Sequence, residues 1–380
     1  MKRVLVVHPY VAPAGGSNAV AAWALQALRE EFEVNLATLR PVDIDGVNRS
    51  FGTSLRQSDF HTFPAPSHYR FLLRAIRNPG ALLDCQLTAR RAQNLDRGRQ
   101  FDVLLSTHNE VDFGRRGIQY VNLPGAYLPR PGDPKRLSHH IPGLHRAFRG
   151  FCYSLGRYSN DGARRNLFIA DSRNIARQIR ELHGVDSTIL YPPVAGGYPA
   201  IAWAERRFGF VAVGRIARSK SWHMAVDIID RLRAGNHDLT LTLIGHREDP
   251  GYEAQLRDLA DTRPWFRMAH DLSREELVRE IASHRYGIHT MRDEHFGIAP
   301  AEILSAGCLP FVHNSGGPPE IVGHPQLTFE TVEDAVEKIG CVLRDADLES
   351  RLLKHASRQK LRFTSEAVCT GLREIVRRFE

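Results

Sequence analysis

The sequence predicts an α/β protein made of two doubly wound domains joined by a short hinge. Three observations carry this reading. The chain has 380 residues, more than one hydrophobic core usually organises. Short aliphatic runs alternate with longer stretches of helical periodicity, the pattern of parallel strands linked by crossover helices. That alternation stops once, at Tyr191-Pro192-Pro193-Val194 with Gly196-Gly197 and Pro199 behind it, and then begins again.

The elements follow in order. Val4–Val7 reads as a buried strand, followed by the loop Pro13-Ala14-Gly15-Gly16-Ser17 and an apolar helix from about Asn18 to Arg29. Val34–Thr38 is a second strand, and residues 40–65 read as loop-rich. Residues 101–106 and Leu167–Ala170 add strands to this first domain, which is expected over 1–194. In the second domain, expected over 199–364, strands fall at Phe208–Val213, Leu239–Ile244, Gly287–Thr290 and Leu309–Val312. Helices fall at 221–234, 251–261, Glu275–Ser283 and Pro300–Ala306, and later at about 331–344 and 347–360. A last helix, about 365–380, is expected to pack back on the first domain. In folds of this kind ligands sit at the carboxyl ends of the parallel strands.

Composition narrows the function classes. Hydrophobic content of 42% with 25% charged residues excludes disorder and coiled coil. Only four apolar residues follow Lys2-Arg3 before His8, too few for a secretory leader, and no run is long enough to cross a bilayer. A cytoplasmic protein is the expectation. The five cysteines, Cys85, Cys152, Cys308, Cys341 and Cys369, are scattered and lack any C-x-x-C spacing, so reduced thiols and no structural zinc are expected. Cys308 and Cys341 sit in apolar contexts and read as core residues.

The net charge of +8 is unevenly placed. Residues 1–200 carry 26 Lys+Arg against 16 Asp+Glu, and the remainder 25 against 27. The basic half should therefore meet something anionic: nucleic acid, phospholipid headgroups or a phosphorylated acceptor. Arg70, Arg74 and Arg77 recur at helical spacing beside Phe71, Leu72, Leu73 and Ile76, and Arg90, Arg91, Arg97 and Arg99 follow. Residues 67–99 thus suit peripheral contact with an anionic membrane at its inner face, with a solvated helix face as the plain alternative. No aromatic-interleaved RNA motif or recognition helix occurs, so nucleic acid is not an expected partner.

Four segments of the second half carry chemistry. In Val213-Gly214-Arg215-Ile216-Ala217-Arg218-Ser219-Lys220, Gly214 permits a tight turn at a strand end, and Arg215 and Lys220 offer donors that suit a diphosphate; alone, it is a solvated basic loop. Leu241-Thr242-Leu243-Ile244-Gly245 ends in a glycine that a nucleotide base could approach, or that is an ordinary strand-end glycine. In Glu294-His295-Phe296-Gly297-Ile298-Ala299-Pro300-Ala301-Glu302, Pro300 suits the first turn of a helix, so the preceding loop lies over a helix N-terminus that attracts anionic oxygens. Glu294 and Glu302 can both face one ligand, and a carboxylate accepts well from vicinal hydroxyls; the alternative is that Glu302, on the first turn, only complements the helix dipole. Asn314-Ser315-Gly316-Gly317-Pro318-Pro319-Glu320 opens another short helix, and its backbone N–H groups can form an anion-binding turn or a plain connection.

Singly these signals are weak, but their order and spacing resemble glycosyltransferase family 4, enzymes of the GT-B fold with two Rossmann-like domains facing a cleft. The resemblance covers the second domain and reaches the first through Gly15-Gly16 and Ala170-Asp171-Ser172-Arg173. Tyr191-Pro192-Pro193 and Glu294-His295-Phe296-Gly297 look most like the GDP-mannose-dependent α-1,2-mannosyltransferase branch. The resemblance implies a retaining transferase that takes a hexose from a nucleotide-sugar and needs no metal or other cofactor. It implies that Arg215 and Lys220 neutralise the departing diphosphate, that Glu294 holds donor-sugar hydroxyls, and that Glu302 holds the ribose. It assigns donor contacts to Gly214, Gly245, His295, Phe296, Gly297, Ile298, Gly316 and Gly317, and places Leu272 and Ser273 near the base. Gly15 and Gly16 would lie over the cleft, with a glycan, glycolipid or small-molecule acceptor on the first domain.

One position departs from the family pattern. Members of that branch carry a histidine in a Tyr-Val-His-x-Pro context, whereas this chain has Tyr120-Val121-Asn122-Leu123-Pro124. Asn122 can hydrogen-bond a sugar but cannot titrate. Either the leaving phosphate acts as base, or His108, His139 or His140 substitutes. Asp43-x-Asp45 and Asp345-x-Asp347 are read as chance pairs rather than a metal-binding D-x-D. A nucleotide-sugar 2-epimerase or hydrolase and a catalytically silent nucleotide-sugar-binding protein are the competing classes.

Overall fold

A computed structural model of the chain describes residues 1–12, 15–75, 82–125 and 143–380. The chain divides into two compact units, one formed by Met1–Pro193 together with Val368–Glu380, the other by Val194–Ala367.

The first unit is a parallel sheet with helices on both faces. Its strands are β1 (Arg3–Val7), β2 (Glu33–Ala37), β3 (His61–Phe63), β4 (Val103–Ser106), β5 (Ile118–Val121), β6 (Leu167–Ala170) and β7 (Ser187–Ile189), ordered β3-β2-β1-β4-β5-β6-β7. The helices are α1 (Gly16–Leu28), α2 (Ile44–Phe51), α3 (Ser67–Ala75), α4 (Leu82–Leu95), α5 (Leu144–Gly156), α6 (Asn160–Arg164) and α7 (Arg173–His183). Residues 40–65, read as loop-rich, instead hold α2 and β3. The signal was weak because α2 buries only Gly46 and Val47, and β3 is a half-exposed edge strand. Asp43 caps α2, accepting from the Gly46 N–H at 3.0 Å, which accounts for the first D-x-D pair.

The second unit repeats the plan. Strands β8 (Arg207–Val213), β9 (Thr240–Gly245), β10 (Phe266–His270), β11 (His284–His289), β12 (Leu309–His313) and β13 (Thr328–Phe329) are ordered β10-β9-β8-β11-β12-β13, all parallel. The helices are α8 (Trp222–Ala234), α9 (Pro250–Asp261), α10 (Arg274–Ala282), α11 (Ile298–Ser305), α12 (Pro318–Val322), α13 (Val332–Arg344) and α14 (Ala346–Gln359). Asp345 caps α14 through the Leu348 N–H at 2.8 Å, so the second D-x-D pair is also a helix cap. Phe210 stacks on Tyr286 across β8 and β11, with ring centroids 5.1 Å apart. Cys308 is fully buried, and burial pushes its thiol up to about 12; Cys341 is only half-buried, so the core reading fits the former alone.

The last helix, α15 (Ser365–Arg378), returns the chain to the first unit. Cys369, Leu372, Val376 and Phe379 join the core formed by Val4, Val20, Trp23 and Leu28. Lys2 Nζ donates to the carbonyls of Arg377 and Phe379, both at 3.1 Å. Among the described residues no helix is long and apolar enough to cross a membrane.

Candidate functional site

In each sheet the strand order reverses once, between β1 and β4 and between β8 and β11. Parallel strands that diverge from such a point leave a crevice at their carboxyl ends. Two side chains that the sequence singles out in the second unit, Lys220 and Glu294, meet at the β8/β11 crevice.

The loop after β8 is shaped by two glycines. A Cβ on Gly245, at the end of β9, would lie 1.9 Å from the Gly214 carbonyl oxygen, so only glycine lets these strand ends touch. Gly214 itself has φ +153°. The loop is pinned from below: Trp222 Nε1 donates to the Arg215 carbonyl at 3.0 Å, and Thr290 Oγ1 to that of Lys220 at 2.8 Å. These bonds turn Lys220 inward, where it is 9% exposed.

There the Lys220 ammonium donates to Glu294 Oε2. His289, the last residue of β11, is fully buried, and its Nε2 lies 3.3 Å from the same oxygen, near enough for a tilted N–H to meet it. Burial holds His289 below its ordinary range, so the ring is neutral near pH 7. Burial alone would raise the Glu294 carboxyl, yet the His289 ring and the Lys220 ammonium outweigh it and hold Glu294 well below the usual carboxylate range. The outcome is a nearly dehydrated carboxylate–ammonium pair at the crevice. An ammonium carries three donors, so Lys220 has protons left for an anionic ligand.

The loop bearing Glu294 is held by the glycine pair after β12. Gly317 N–H donates to the Glu294 carbonyl at 2.8 Å, and Ser315 Oγ accepts from the Asp293 N–H at 2.8 Å. A Cβ on Gly316 would lie 2.1 Å from the Glu294 carbonyl oxygen, and one on Gly317 2.3 Å from that of His295. Of the N–H groups in this turn, that of Gly317 is given to protein. Here the two glycines let two loops meet backbone to backbone. Phe296 anchors the same loop, buried against Phe363 with centroids 5.8 Å apart. Gly297 (φ +102°) caps α11 and Ile298 is its first residue, so the loop from Glu294 to Ile298, His295 included, does sit over a helix N-terminus.

Glu302 is the fifth residue of α11, past the first turn, so the helix-dipole alternative fails. Its carboxylate instead accepts from Arg274 Nη1. Arg274 Nη2 also donates to the Ala195 carbonyl at 3.1 Å and to the Tyr198 hydroxyl at 3.3 Å, and the guanidinium lies 5.6 Å from the centre of the Tyr198 ring.

Other predicted residues lie apart from this cluster. The Arg215 side chain is 58% exposed and pairs with Glu248 at 2.5 Å. Ser273 caps α10, its hydroxyl accepting from the Glu276 N–H at 3.2 Å and donating to the Glu276 carboxylate at 2.7 Å, while Leu272 packs on the core beside Ala269 and Ile281. Sequence reasoning missed His289 and Arg274. A histidine ending the strand at the point of order reversal, five residues before Glu294, was a usable signal. Arg274 had none, since its partners are 28 and 79 residues away.

In the first unit, His8 follows β1 at the corresponding reversal. Its Nδ1 bonds Thr107 Oγ1 at 2.9 Å and its Nε2 bonds Asn18 Oδ1 at 2.8 Å, and burial, helped by His108, drives its pKa down to about 3. His108 meets His8 edge-on at 5.5 Å, contacts Cys85 Sγ at 3.2 Å, and is likewise held neutral by burial. Gly15 (φ +97°) caps α1 and Gly16 begins it. The backbone N–H groups of Asn122 and Leu123 donate to Asn109 Oδ1 at 3.1 and 2.9 Å, while Asn122 Nδ2 is buried with no partner among the described residues. His139, His140, Ile76 and Arg77 lie outside the described residues, as do the side chains of Arg70, Leu72 and Arg74.

Comparison with known proteins fits this geometry. Residues 199–359 match the family model of glycosyl transferases group 1. A Dictyostelium discoideum GDP-Man:Man(3)GlcNAc(2)-PP-Dol alpha-1,2-mannosyltransferase is 26% identical over 202 residues, covering 48% of this chain and 40% of the relative. The Homo sapiens enzyme of that name is 30% identical over 141 residues, covering 34% and 29%. The chain thus spans less than half the length of these curated relatives. The crystal structure of Anabaena Alr3699/HepE in complex with UDP and glucose superposes over 100% of both chains with a TM-score of 0.65 at 14% identity. WaaG, a glycosyltransferase involved in lipopolysaccharide biosynthesis, covers 97% of this chain and 99% of its own, with a TM-score of 0.61 at 13% identity. The fold is GT-B, with two Rossmann-like units in one chain.

Proposed function

With residues 199–359 forming a glycosyltransferase group 1 domain, we propose that this protein moves a hexose from a nucleoside-diphosphate sugar to a glycan, glycolipid or small-molecule acceptor, with retention at the anomeric carbon and without a metal. The observation that carries the reading is the Lys220–Glu294 pair, buried against His289 at the β8/β11 reversal. GDP-mannose is the favoured donor, supported by the names of the curated relatives, with a UDP-sugar second.

On this reading the donor diphosphate displaces Glu294 from Lys220. Lys220 then faces the phosphate oxygens, and the released Glu294 carboxylate accepts from hydroxyls of the hexose. Arg215, exposed to solvent, turns from Glu248 to the same diphosphate. Gly297 and Ile298 add the positive end of α11. Glu302, oriented by Arg274, accepts from the ribose hydroxyls. As the bond from the anomeric carbon to the phosphate oxygen breaks, its electron pair leaves with the diphosphate. The growing negative charge meets Lys220 in a site with little water, where such an interaction is strongest. The acceptor oxygen bonds the anomeric carbon on the same face and gives its proton to the departing phosphate oxygen. Asn122 Nδ2, without a partner among the described residues, suits a sugar hydroxyl.

A thermal-shift panel of nucleoside diphosphates tests donor binding, since a ligand that binds only the folded state raises stability. Product analysis with labelled GDP-mannose, with and without acceptor, then tests the chemistry. Acceptor-dependent transfer supports the proposal. Free hexose or an epimerised nucleotide formed without acceptor, or a Lys220→Ala enzyme with unchanged turnover, overturns it.

A further inference from the structure

The first unit contains a cavity of about 180 Å³ walled by α4, α5, α6 and α7, which the proposed reaction does not use. Its floor is buried and polar. Gln86 on α4 is 2% exposed, and its Oε1 has no hydrogen-bond partner among the described residues. Beside it Glu110 and His183 form a buried contact at 3.0 Å, and Glu110 Oε1 also accepts from the Gly125 N–H at 2.6 Å. One wall is aromatic: Tyr153 and Tyr158 stack with centroids 4.5 Å apart and ring planes 27° from parallel. Burial raises both phenols, so they stay protonated and can donate. The rim is cationic. Arg149 has no ion-pair partner among the described residues, and Arg164 is only loosely paired with Asp161 at 3.7 Å.

Each part narrows the ligand. The Glu110 carboxylate and the Gln86 amide make the floor polar, so it calls for a hydroxylated ligand. Flat aromatic faces suit the C–H face of a sugar ring, which is apolar on one side and hydroxylated at its edge. Guanidinium groups match phosphate and carboxylate in planar, two-point fashion. A bare phosphate would leave Gln86 and the tyrosines unserved, and a neutral sugar would leave the arginines unserved. The volume holds one ring, being below the roughly 300 Å³ where drug-sized sites begin. We propose that this cavity binds a single sugar unit carrying a phosphate or carboxylate, independently of the Lys220 site.

Isothermal titration of the full chain with glucose 1-phosphate, glucose 6-phosphate, glucuronate, glucose and inorganic phosphate tests this. At least one anionic sugar should bind saturably, and at least tenfold more tightly than glucose or inorganic phosphate; whether it is a phosphate or the uronate identifies the anion. Arg149→Ala and Arg164→Ala, both on the rim, should each weaken that binding about tenfold, and Gln86→Leu should weaken it as much. Lys220→Ala should leave it unchanged, which separates this site from the donor reading. No saturable binding overturns the proposal, as does binding that survives both arginine variants, is lost in Lys220→Ala, or is matched by inorganic phosphate. If Gln86→Leu does not fold, the two arginine variants decide alone.

Discussion

Lys220 and Glu294, 74 residues apart in sequence, share a hydrogen bond in a site where neither side chain is more than 15% exposed, with the His289 ring packed against the acceptor oxygen. Such a pair adds little net stability, because the Coulomb gain only offsets the lost hydration. Breaking it from one side is costly, because the partner stays buried and charged.

Lys220→Ala should therefore destabilise the protein by about 3 kcal/mol in urea titration, while Lys220→Ala with Glu294→Gln together should cost less than Lys220→Ala alone. A double variant no better than the single one would mean that Lys220 stabilises by packing. For transfer, Lys220→Ala should lower kcat roughly 100-fold or more at saturating donor, the scale for loss of a group that meets developing charge.

Acid stability should follow the buried histidines. The unfolded chain takes up a proton on His8 near pH 6.5, and the folded chain refuses it until about pH 3. His284, buried on β11 and lowered to about 4, behaves alike. Stability should thus be full above pH 7 and fall as pH drops from 6.5 towards 3. Glu294 adds to the loss below about pH 4, because its folded form holds the charge that the unfolded form gives up. His8→Asn should flatten the slope between pH 6.5 and 4 in urea midpoints measured across pH; an unchanged slope would mean that His8 does not carry it.

Gly316→Ala should loosen the loop that bears Glu294 from behind. The new methyl would meet the Glu294 carbonyl at 2.1 Å, and φ of +71° disfavours any side chain. A loss of about 1–3 kcal/mol in thermal unfolding is expected, with weaker nucleoside-diphosphate binding because the Glu294 loop must move. Wild-type affinity in a folded Gly316→Ala protein would show that the loop is not held this way.

Glu302→Ala should weaken nucleoside-diphosphate binding about tenfold, the scale of one charge-assisted hydrogen bond. The same change should matter far less for the 2′,3′-dideoxy nucleotide, which has no hydroxyls for the carboxylate to accept from. Equal losses for both nucleotides would move Glu302 away from the ribose and leave it as the partner of Arg274.

Asn122→Ala should be almost neutral for stability, since its Nδ2 has no partner to lose among the described residues. Transfer to acceptor should fall while binding of the nucleoside diphosphate is retained. A large loss of stability instead would make Asn122 a structural residue.

Much of the second unit was legible because its elements are long and well marked. Trp222–Ala234 and Pro250–Asp261 carry clear helical periodicity, the latter with Asp249 and Pro250 as a start signal. The first unit was less legible because β3 is a half-exposed edge and α2 hides only two residues, so no apolar pattern announces them. At the site, spacing could group Lys220, Glu294 and Glu302 but not His289 or Arg274. Arg215 looked equivalent to Lys220, yet Thr290 and Trp222 tether the loop so that one turns inward and the other stays in water. Gly245 and Gly316, singled out as ligand contacts, also answer a demand that spacing does not show: neighbouring carbonyls leave no room for a side chain.

The return of the last helix sets an order on biosynthesis. The segment Val194–Ala367 is continuous and holds all its own strands, so it can close its core as soon as it leaves the ribosome. The first unit is made earlier but lacks Leu372, Val376 and Phe379 until residues 368–380 emerge, and until then the core that holds Trp23 and Leu28 is incomplete. The part translated first therefore matures last, and a nascent chain stalled before residue 368 would expose an apolar surface to chaperones and proteases.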